Sequence, residues 1–202
     1  MPIDLTPLGT LVNQTKPVPG LAMQQIPYVN QTNLNTFLKK EIPKKPGDKA
    51  KVKFVDCQST KENAGKQFTG AIHMNFDDFI KVAAPKFNVL IKGVPTVYND
   101  LGTADVVVFY CYVGANRSPA MAGLYINATT NVATRPTSYN ANQRVMVLNS
   151  GMTGYMVTPT PQGLSTWLAP TSGKIVAGCK GSGKVPQPGG DADDWDVIYT
   201  DP

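Results

Sequence analysis

Cysteine and histidine are scarce in this sequence, and their scarcity excludes several kinds of site. The 202 residues include three cysteines, Cys57, Cys111 and Cys179, and one histidine, His73. Three cysteines are too few for a disulfide framework, and these three lack the paired spacing of a zinc site. We therefore expect a protein of a reducing compartment that binds no metal. The lone histidine is more typical of a structural role than of a catalytic one.

Long apolar runs and nucleic-acid-binding motifs are also absent. No segment approaches the roughly 18 apolar residues of a membrane helix, and the first ten residues lack both a basic start and a long apolar stretch. The formal net charge is +5, but no basic helix, zinc finger or aromatic RNA motif accompanies it. The only cluster of cations is Lys39, Lys40, Lys44 and Lys45. These absences predict a cytoplasmic protein that binds neither membrane nor nucleic acid. The positive net charge suits a phosphoprotein or a small oxyanion as partner.

The chain divides into three parts by composition. Residues 1–23 hold four prolines among polar residues without apolar periodicity, which predicts an extended arm. Residues 171–202 are rich in Gly, Pro and Lys and then acidic, which predicts a weakly ordered tail. Residues 24–170 carry the apolar patterns of a single domain.

The middle part alternates between strand and helix patterns. The run from Asp105 to Tyr110 is apolar without alternation, as expected for a strand covered on both faces at the centre of a parallel sheet. Further patterns predict a short edge strand over 26–29, strands over 52–56 and 144–148, and helices over 32–40, 76–82, 119–127 and 162–168. The fold class that follows is α/β, with a central parallel sheet flanked by helices.

The segment from Cys111 to Ser118 separates this central strand from the next helix and carries the candidate chemistry. Its backbone amides are expected to curl around one point beside the helix N-terminus, an arrangement that attracts anions. The planar fork of Arg117 matches two oxygens of a phosphate or arsenate. Cys111 is expected to lie beneath the anion. Because the same field favours a thiolate, we expect a lowered pKa for Cys111 and a nucleophile near neutral pH.

The other residues of the loop are predicted to bind the substrate. Gly114 permits a backbone angle denied to other residues, and the hydroxyl of Ser118 is placed to hydrogen-bond Cys111 as the thiol departs. The predicted substrate-binding residues are Tyr112, Val113, Gly114, Ala115, Asn116 and Ser118. The alternative is a buried cysteine at a strand end that an unrelated surface arginine happens to follow. The position of the segment between strand and helix favours the functional interpretation.

Two motifs resemble the rhodanese superfamily over roughly residues 24 to 168. Val55 to Gln58, continuing through Glu62 and Gly65 to Gly70, Ala71 and Ile72, is similar to that family's first sheet strand, acidic loop and strand re-entry. Val106 to Arg117 is similar to its active-site strand and loop. The M-phase-inducer phosphatases and the eukaryotic arsenate reductases within this superfamily use seven residues in the loop, as here, whereas sulfurtransferases use six. Dual-specificity tyrosine phosphatases share the loop signature, but the Asp56–Cys57 motif favours the rhodanese side.

The resemblance implies a rhodanese-like domain and a cofactor-free cysteine phosphatase of the tyrosine or dual-specificity type, with Cys111 and Arg117 as catalytic residues. One alternative is an arsenate reductase that uses a thiol such as glutathione or glutaredoxin. Another is a non-catalytic module that binds an anion or phosphopeptide. The resemblance also implies that Cys57 can form a protective disulfide with Cys111, although an inert buried thiol remains the alternative.

The sequence departs from the family at three positions. Tyr110 and Gln67 replace histidines, and Asn116 replaces the acidic residue that precedes the arginine in the phosphatases. The general acid is therefore unassigned. The available carboxylates are Asp77, Asp78 and Asp100.

Overall fold

The computed structural model of the chain describes residues 3–41, 44–59, 62, 67–76, 95–157, 168–169 and 174–175. In chain order its strands are β1 (Val12–Val18), β2 (Leu21–Val29), β3 (Val52–Asp56), β4 (Gln67–Phe68), β5 (Ile72–His73), β6 (Val106–Tyr110), β7 (Arg144–Leu148), β8 (Leu168–Ala169) and β9 (Lys174–Ile175). The α-helices within these ranges are α1 (Gln31–Glu41), α2 (Pro95–Gly102), α3 (Arg117–Thr130) and α4 (Gly151–Val157).

The main sheet has seven strands in the order β1-β2-β7-β6-β3-β5-β9. All neighbouring pairs are parallel except β1 and β2, which form an antiparallel hairpin. β4 and β8 pair separately as a small antiparallel ribbon. The predicted central strand is confirmed, since β6 is fourth of seven and all five of its residues are buried. The α/β class with helices around a mostly parallel sheet is confirmed with it.

Side chains alternate along β6 and divide the core into two layers. Val107 and Phe109 face α3 and the β1–β2 hairpin, and Cys111 continues this face beyond the strand end. Tyr110 points into the opposite layer, which contains the apolar face of α1 and the start of α4. Cys111 and Tyr110 are therefore neighbours in sequence that lie on opposite faces of the sheet.

The N-terminal segment differs from its prediction. The sequence predicts an extended arm over residues 1–23, whereas β1 and β2 form a hairpin that continues the main sheet, and the boundary at residue 24 falls inside β2. Pro19 and Gly20 make the turn, where Gly20 has a φ of +66°. Ile26 and Tyr28 are buried on the α3 side. Pro17 and Pro19, two of the four prolines that suggested an irregular arm, thus lie in the hairpin.

Several predicted elements lie partly or wholly outside the described residues. The strands over 52–56 and 144–148 and the helices over 32–40 and 119–127 are confirmed, with the helices one to three residues longer at their ends. The predicted helix over 76–82 lies outside the described residues after Phe76. Of the predicted helix over 162–168 only Leu168 is described, and it lies in β8. Of the predicted tail, Lys174–Ile175 pairs with β5 as β9.

Within the described ranges, no helix has both the length and the apolar character needed to cross a membrane.

Candidate active site

Cys111 lies at the carboxyl end of β6 and receives two hydrogen bonds at sulfur. The Gly114 N–H donates to its Sγ at 3.2 Å and the Ser118 hydroxyl donates at 3.3 Å. Donors directed at sulfur stabilise the thiolate relative to the thiol. The side chain is fully buried, so a substrate reaches it only when the groups that cover it move.

Gly114 adopts a conformation that the loop requires of glycine. Its φ is +79°, in the left-handed region, and a Cβ built there would lie 2.6 Å from the Leu148 carbonyl oxygen and 2.7 Å from the Gly151 nitrogen. Both of these are backbone atoms, which cannot move aside without disturbing β7 and α4. The turn of the loop is therefore packed tightly against the segment that follows β7.

The start of α4 holds the first part of the loop in place. The Met152 N–H donates to the Cys111 carbonyl and the Thr153 N–H donates to the Tyr112 carbonyl, both at 2.9 Å. The first N–H groups of a helix have no partner within the helix, and here the loop carbonyls supply one. These bonds turn the loop carbonyls toward α4.

Arg117 begins α3 and forms a buried ion pair with Glu62. Its Nη1 donates to Glu62 Oε2 at 2.7 Å and its Nη2 to Glu62 Oε1 at 2.9 Å, and the two side chains are only 4% and 5% exposed. Burial raises the pKa of the Glu62 carboxyl, but the hydrogen bonds and charge of Arg117 and the bonds from Ser59 outweigh it, so that the pKa lies below its usual value. Glu62 is therefore an ionised partner of Arg117 and is unsuited to donate a proton near neutral pH.

The structure brings all eight predicted loop residues into one turn and helix start. The Ser118 hydroxyl donates to the sulfur. The Gly114 N–H does so as well, although the sequence predicted for Gly114 only an unusual backbone angle. The side chains of Tyr112, Ala115 and Asn116 are half-buried, and that of Val113 is 36% exposed. The outer edge of the loop thus carries an aromatic, two small apolar groups and an amide, without a carboxylate.

Cys57 and Cys111 occupy equivalent ends of adjacent strands. Asp56 pairs with Tyr110 in the β3–β6 register, and the Cys57 N–H donates to the Tyr110 carbonyl at 2.7 Å. Both cysteines are free thiols and lie in the same core layer. Adjacent strands lie about 4.8 Å apart, which is inside the limit of about 7 Å between Cα atoms that a disulfide can bridge.

The thiol of Cys57 differs in its electrostatics from an exposed cysteine. Burial raises its pKa, the charges of Cys111 and Asp56 raise it further, and Arg117 lowers it. The pKa is well above the usual value. Cys57 is therefore held as a neutral thiol.

Comparison with known proteins finds similarity only at the level of structure. No protein-family model matches the chain, and no curated protein sequence matches it significantly. The structure of Saccharomyces cerevisiae Ygr203w, described as a homolog of single-domain rhodanese and the Cdc25 phosphatase catalytic domain, superposes with a TM-score of 0.50 at 14% identity, over 71% of this chain and 86% of that one. The chain has a rhodanese-like fold.

Two further solved structures are similar with lower scores. An As-Sb reductase from Leishmania major has a TM-score of 0.47 at 17% identity, over 70% of this chain and 90% of that one. Another structure of Ygr203w, described as a yeast protein tyrosine phosphatase of the rhodanese family, has a TM-score of 0.48 at 13% identity, over 71% and 91% of the two chains. These two likenesses carry no further argument, and the chemistry of this rhodanese-like chain is argued from its site.

In this rhodanese-like domain a buried network takes the place of the histidine that the resemblance leads one to expect before Cys111. The Tyr110 hydroxyl donates to Asp56 Oδ2 at 2.9 Å and accepts from the Phe68 N–H at 3.3 Å. Gln58 donates to both oxygens of the same carboxyl group from its backbone N–H and its side-chain amide. Burial raises the pKa of Tyr110, and the charge of Asp56 raises it further, so the hydroxyl stays protonated and acts as a donor. This network ties the end of β6 to the end of β3.

We predict that Tyr110→Phe destabilises the domain by about 1.5–3 kcal/mol, because it removes a buried hydrogen bond to a charged group. Urea denaturation measures the free energy of unfolding. Tyr125→Phe is the matched control, since that buried hydroxyl donates to the neutral Gln143 amide at 2.8 Å and its loss should cost about 0.5–1.5 kcal/mol. Equal losses for the two variants would contradict a charged network at Tyr110.

Of the three carboxylates considered as general acid, only Asp100 lies within the described residues, and it is not beside Cys111. Asp100 lies in α2 and pairs with Lys53 at 2.6 Å. Lys53 is opposite Val107, four residues or about 13 Å along β6 from Cys111. Asp77 and Asp78 lie outside the described residues. Its distance from Cys111 excludes Asp100 as the general acid.

His73 has the structural role that the sequence favours. It is buried, and its Nε2 lies 2.8 Å from the Gln58 carbonyl oxygen. In the part of the chain that the structure describes, no three His, Cys, Asp or Glu side chains are grouped to hold a metal ion.

Proposed function

We propose that this protein is a cofactor-free cysteine phosphatase of the tyrosine or dual-specificity type, acting on a phosphoprotein or another phosphorylated or small oxyanion substrate. The observation that best supports it is the pair of donors on Cys111 Sγ, from Gly114 and Ser118, in a loop that ends at Arg117. Donors that stabilise a thiolate beside a guanidinium are what nucleophilic attack on an anionic centre requires.

The proposed reaction has two steps. The Cys111 thiolate attacks phosphorus while the bond from phosphorus to the leaving oxygen breaks, which gives a phosphocysteine and a leaving oxyanion that takes a proton from water. Water then attacks phosphorus and releases inorganic phosphate, and the Ser118 hydroxyl stabilises the departing thiolate. Arg117 and the loop amides from Tyr112 to Asn116 hold the remaining oxygens through both steps.

Arsenate reduction is the second candidate, and it is supported by the lack of a described carboxylate that could protonate an alcohol leaving group. The loop has no carboxylate, and Glu62 is engaged with Arg117. In this reaction the Cys111 thiolate displaces water from arsenate, and a second thiol such as glutathione then attacks the arsenic-bound sulfur. The two thiols are oxidised to a disulfide as arsenic gains two electrons and leaves as arsenite. Glutathione or glutaredoxin restores Cys111.

Two assays on one preparation of the reduced protein distinguish the candidates. Hydrolysis of an aryl phosphate is measured from about pH 5 to pH 8 without added thiol, and arsenate reduction is measured with glutathione and glutaredoxin. Hydrolysis without thiol supports the phosphatase, whereas thiol oxidation that depends on arsenate supports the reductase. Absence of both reactions, together with binding of phosphate, would replace both proposals by a non-catalytic anion-binding module.

We further propose that Cys57 protects the nucleophile by forming a disulfide with Cys111. Stoichiometric peroxide is expected to convert Cys111 to a sulfenic acid, which condenses with the neighbouring thiol and is restored by a reducing thiol. In Cys57→Ser the same treatment should carry Cys111 on to the sulfinic and sulfonic acids and cause irreversible loss of activity. Peptide mass spectrometry identifies the products. Full recovery of the oxidised variant on reduction would show that Cys57 has no protective role.

A further inference from the structure

The ion pair between Arg117 and Glu62 is more enclosed than the other ion pairs among the described residues. In the pairs Lys44–Glu41 and Lys53–Asp100 the lysine is 32% and 31% exposed, whereas both side chains here are at most 5% exposed. Both carboxylate oxygens are engaged, one by each Nη atom. A planar guanidinium held through two parallel bonds has its plane fixed by its partner.

Glu62 is itself anchored to the end of β3. Its Oε2 accepts hydrogen bonds from the Ser59 N–H and the Ser59 hydroxyl, both at 2.8 Å, and its own N–H donates to the Ser59 hydroxyl oxygen at 3.3 Å. Ser59 follows Cys57 by two residues, in the loop after β3, and β3 is the strand adjacent to β6. A continuous set of contacts thus runs from β3 through Ser59 and Glu62 to Arg117 at the start of α3.

We propose that Glu62, anchored by Ser59, is a positioning residue that orients Arg117 for oxyanion binding in the site proposed above. Because the guanidinium is rigid, fixing the edge that carries Nη1 and Nη2 also fixes the directions of its other N–H groups. The carboxylate compensates the buried positive charge of Arg117. The lowered pKa of Glu62 keeps it charged across the working pH range, which suits positioning and not proton donation.

The test uses inorganic phosphate as the probe and needs no turnover. The rate of Cys111 alkylation is measured against phosphate concentration for wild type and Glu62→Gln, which keeps the side-chain size but removes the charge. We expect phosphate to protect the variant at least about ten-fold more weakly, because a displaced arginine loses oxyanion contacts. Protection is expressed relative to each protein's own rate without phosphate, because a change of charge beside Arg117 also alters the reactivity of Cys111. With turnover, the KM for an aryl phosphate should rise more than kcat falls.

Two further variants separate positioning from general damage. Glu41→Gln is the matched control, because Glu41 is also a buried glutamate that accepts bonds from Lys44 and the Ala50 N–H, but it lies in α1 away from the loop. Its phosphate protection should equal that of wild type. Ser59→Ala keeps the ion pair and removes part of its anchor, so it should weaken protection in the same direction by a smaller factor. If circular dichroism shows that Glu62→Gln fails to fold, phosphate protection of Ser59→Ala tests the positioning role instead.

The outcomes for Glu62 and for the proposed phosphatase are distinct. Protection by phosphate that is the same in Glu62→Gln and wild type would overturn the positioning role, whatever the turnover. A second outcome is that phosphate protects Glu62→Gln more weakly than wild type, but wild type shows no phosphatase turnover. This result would support the role of Glu62 and reject the phosphatase. If phosphate does not protect wild-type Cys111, there is no oxyanion site for Glu62 to organise and the inference fails.

Discussion

Replacing Cys111 by serine is expected to lower the turnover of an aryl phosphate at least about a thousand-fold, because a serine hydroxyl is a far weaker nucleophile than a thiolate near neutral pH. The oxygen of serine can accept the same bonds from the Gly114 N–H and the Ser118 hydroxyl, so the fold should be kept. Turnover is measured on reduced protein, and urea denaturation verifies that the variant is folded. Binding of phosphate should survive, since Arg117 and the loop amides are unchanged.

The matched control for this substitution is Cys179→Ser, which changes a cysteine that the proposed reaction does not use. It should hydrolyse the aryl phosphate at the wild-type rate. Turnover by Cys111→Ser within about ten-fold of wild type would show that another group carries out the reaction.

Gly114→Ala is expected to have the second largest effect, on both stability and activity. A non-glycine residue at its φ of +79° costs about 1–2 kcal/mol from conformation alone. The added Cβ would also meet the Leu148 carbonyl and the Gly151 nitrogen at 2.6 and 2.7 Å, so the loop must shift. We expect a loss of stability beyond the conformational cost and a loss of turnover of about a hundred-fold or more, because displaced loop amides no longer match the oxyanion.

Gly70→Ala isolates the conformational part of this effect. Gly70 has a similar φ of +69°, but an added Cβ would meet nothing within 4 Å. That variant should lose about 1–2 kcal/mol in the free energy of unfolding and keep its turnover. The packing argument is wrong if the two variants lose equal stability and both remain active.

The central strand and the loop could be predicted from the sequence because their signals are local. The continuous apolar run of β6 and the spacing from Cys111 to Arg117 both lie within thirteen residues, Asp105 to Arg117. The hydrogen bond from Ser118 to Cys111 and the positive φ of Gly114 follow from positions in that same short segment.

The partners of the loop could not be predicted in the same way. Glu62 lies 55 residues from Arg117, and Asp56 lies 54 residues from Tyr110, so only the fold brings each pair together. The resemblance included Glu62 in a loop motif without indicating which side chain it contacts. The β1–β2 hairpin was predicted only over 26–29, where Ile26 and Tyr28 are buried. Its remaining residues are mostly polar or exposed and include prolines, so they carry no apolar alternation.

The absence of a carboxylate in the loop bears on the choice between the two reactions. A general acid typically contributes about 10²–10⁴ to the rate of such a step. Aryl phosphates, whose leaving groups need little protonation, are therefore the substrates that report most directly on the nucleophile. Arsenate reduction releases no alcohol, so it depends less on an acid that protonates an alcohol leaving group. For this reason both assays should be made on the same protein.

The most direct test of the central claim is the rate of Cys111 alkylation near pH 6 with and without phosphate, arsenate or vanadate. A free cysteine, with a pKa of about 8.5, reacts slowly at this pH. We predict that Cys111, whose sulfur receives two hydrogen bonds, is alkylated much faster than Cys57, whose pKa is raised, and that each oxyanion suppresses the reaction of Cys111. Alkylation of Cys111 no faster than that of Cys57, with no protection by any of the three anions, would contradict an oxyanion-binding nucleophile at this loop.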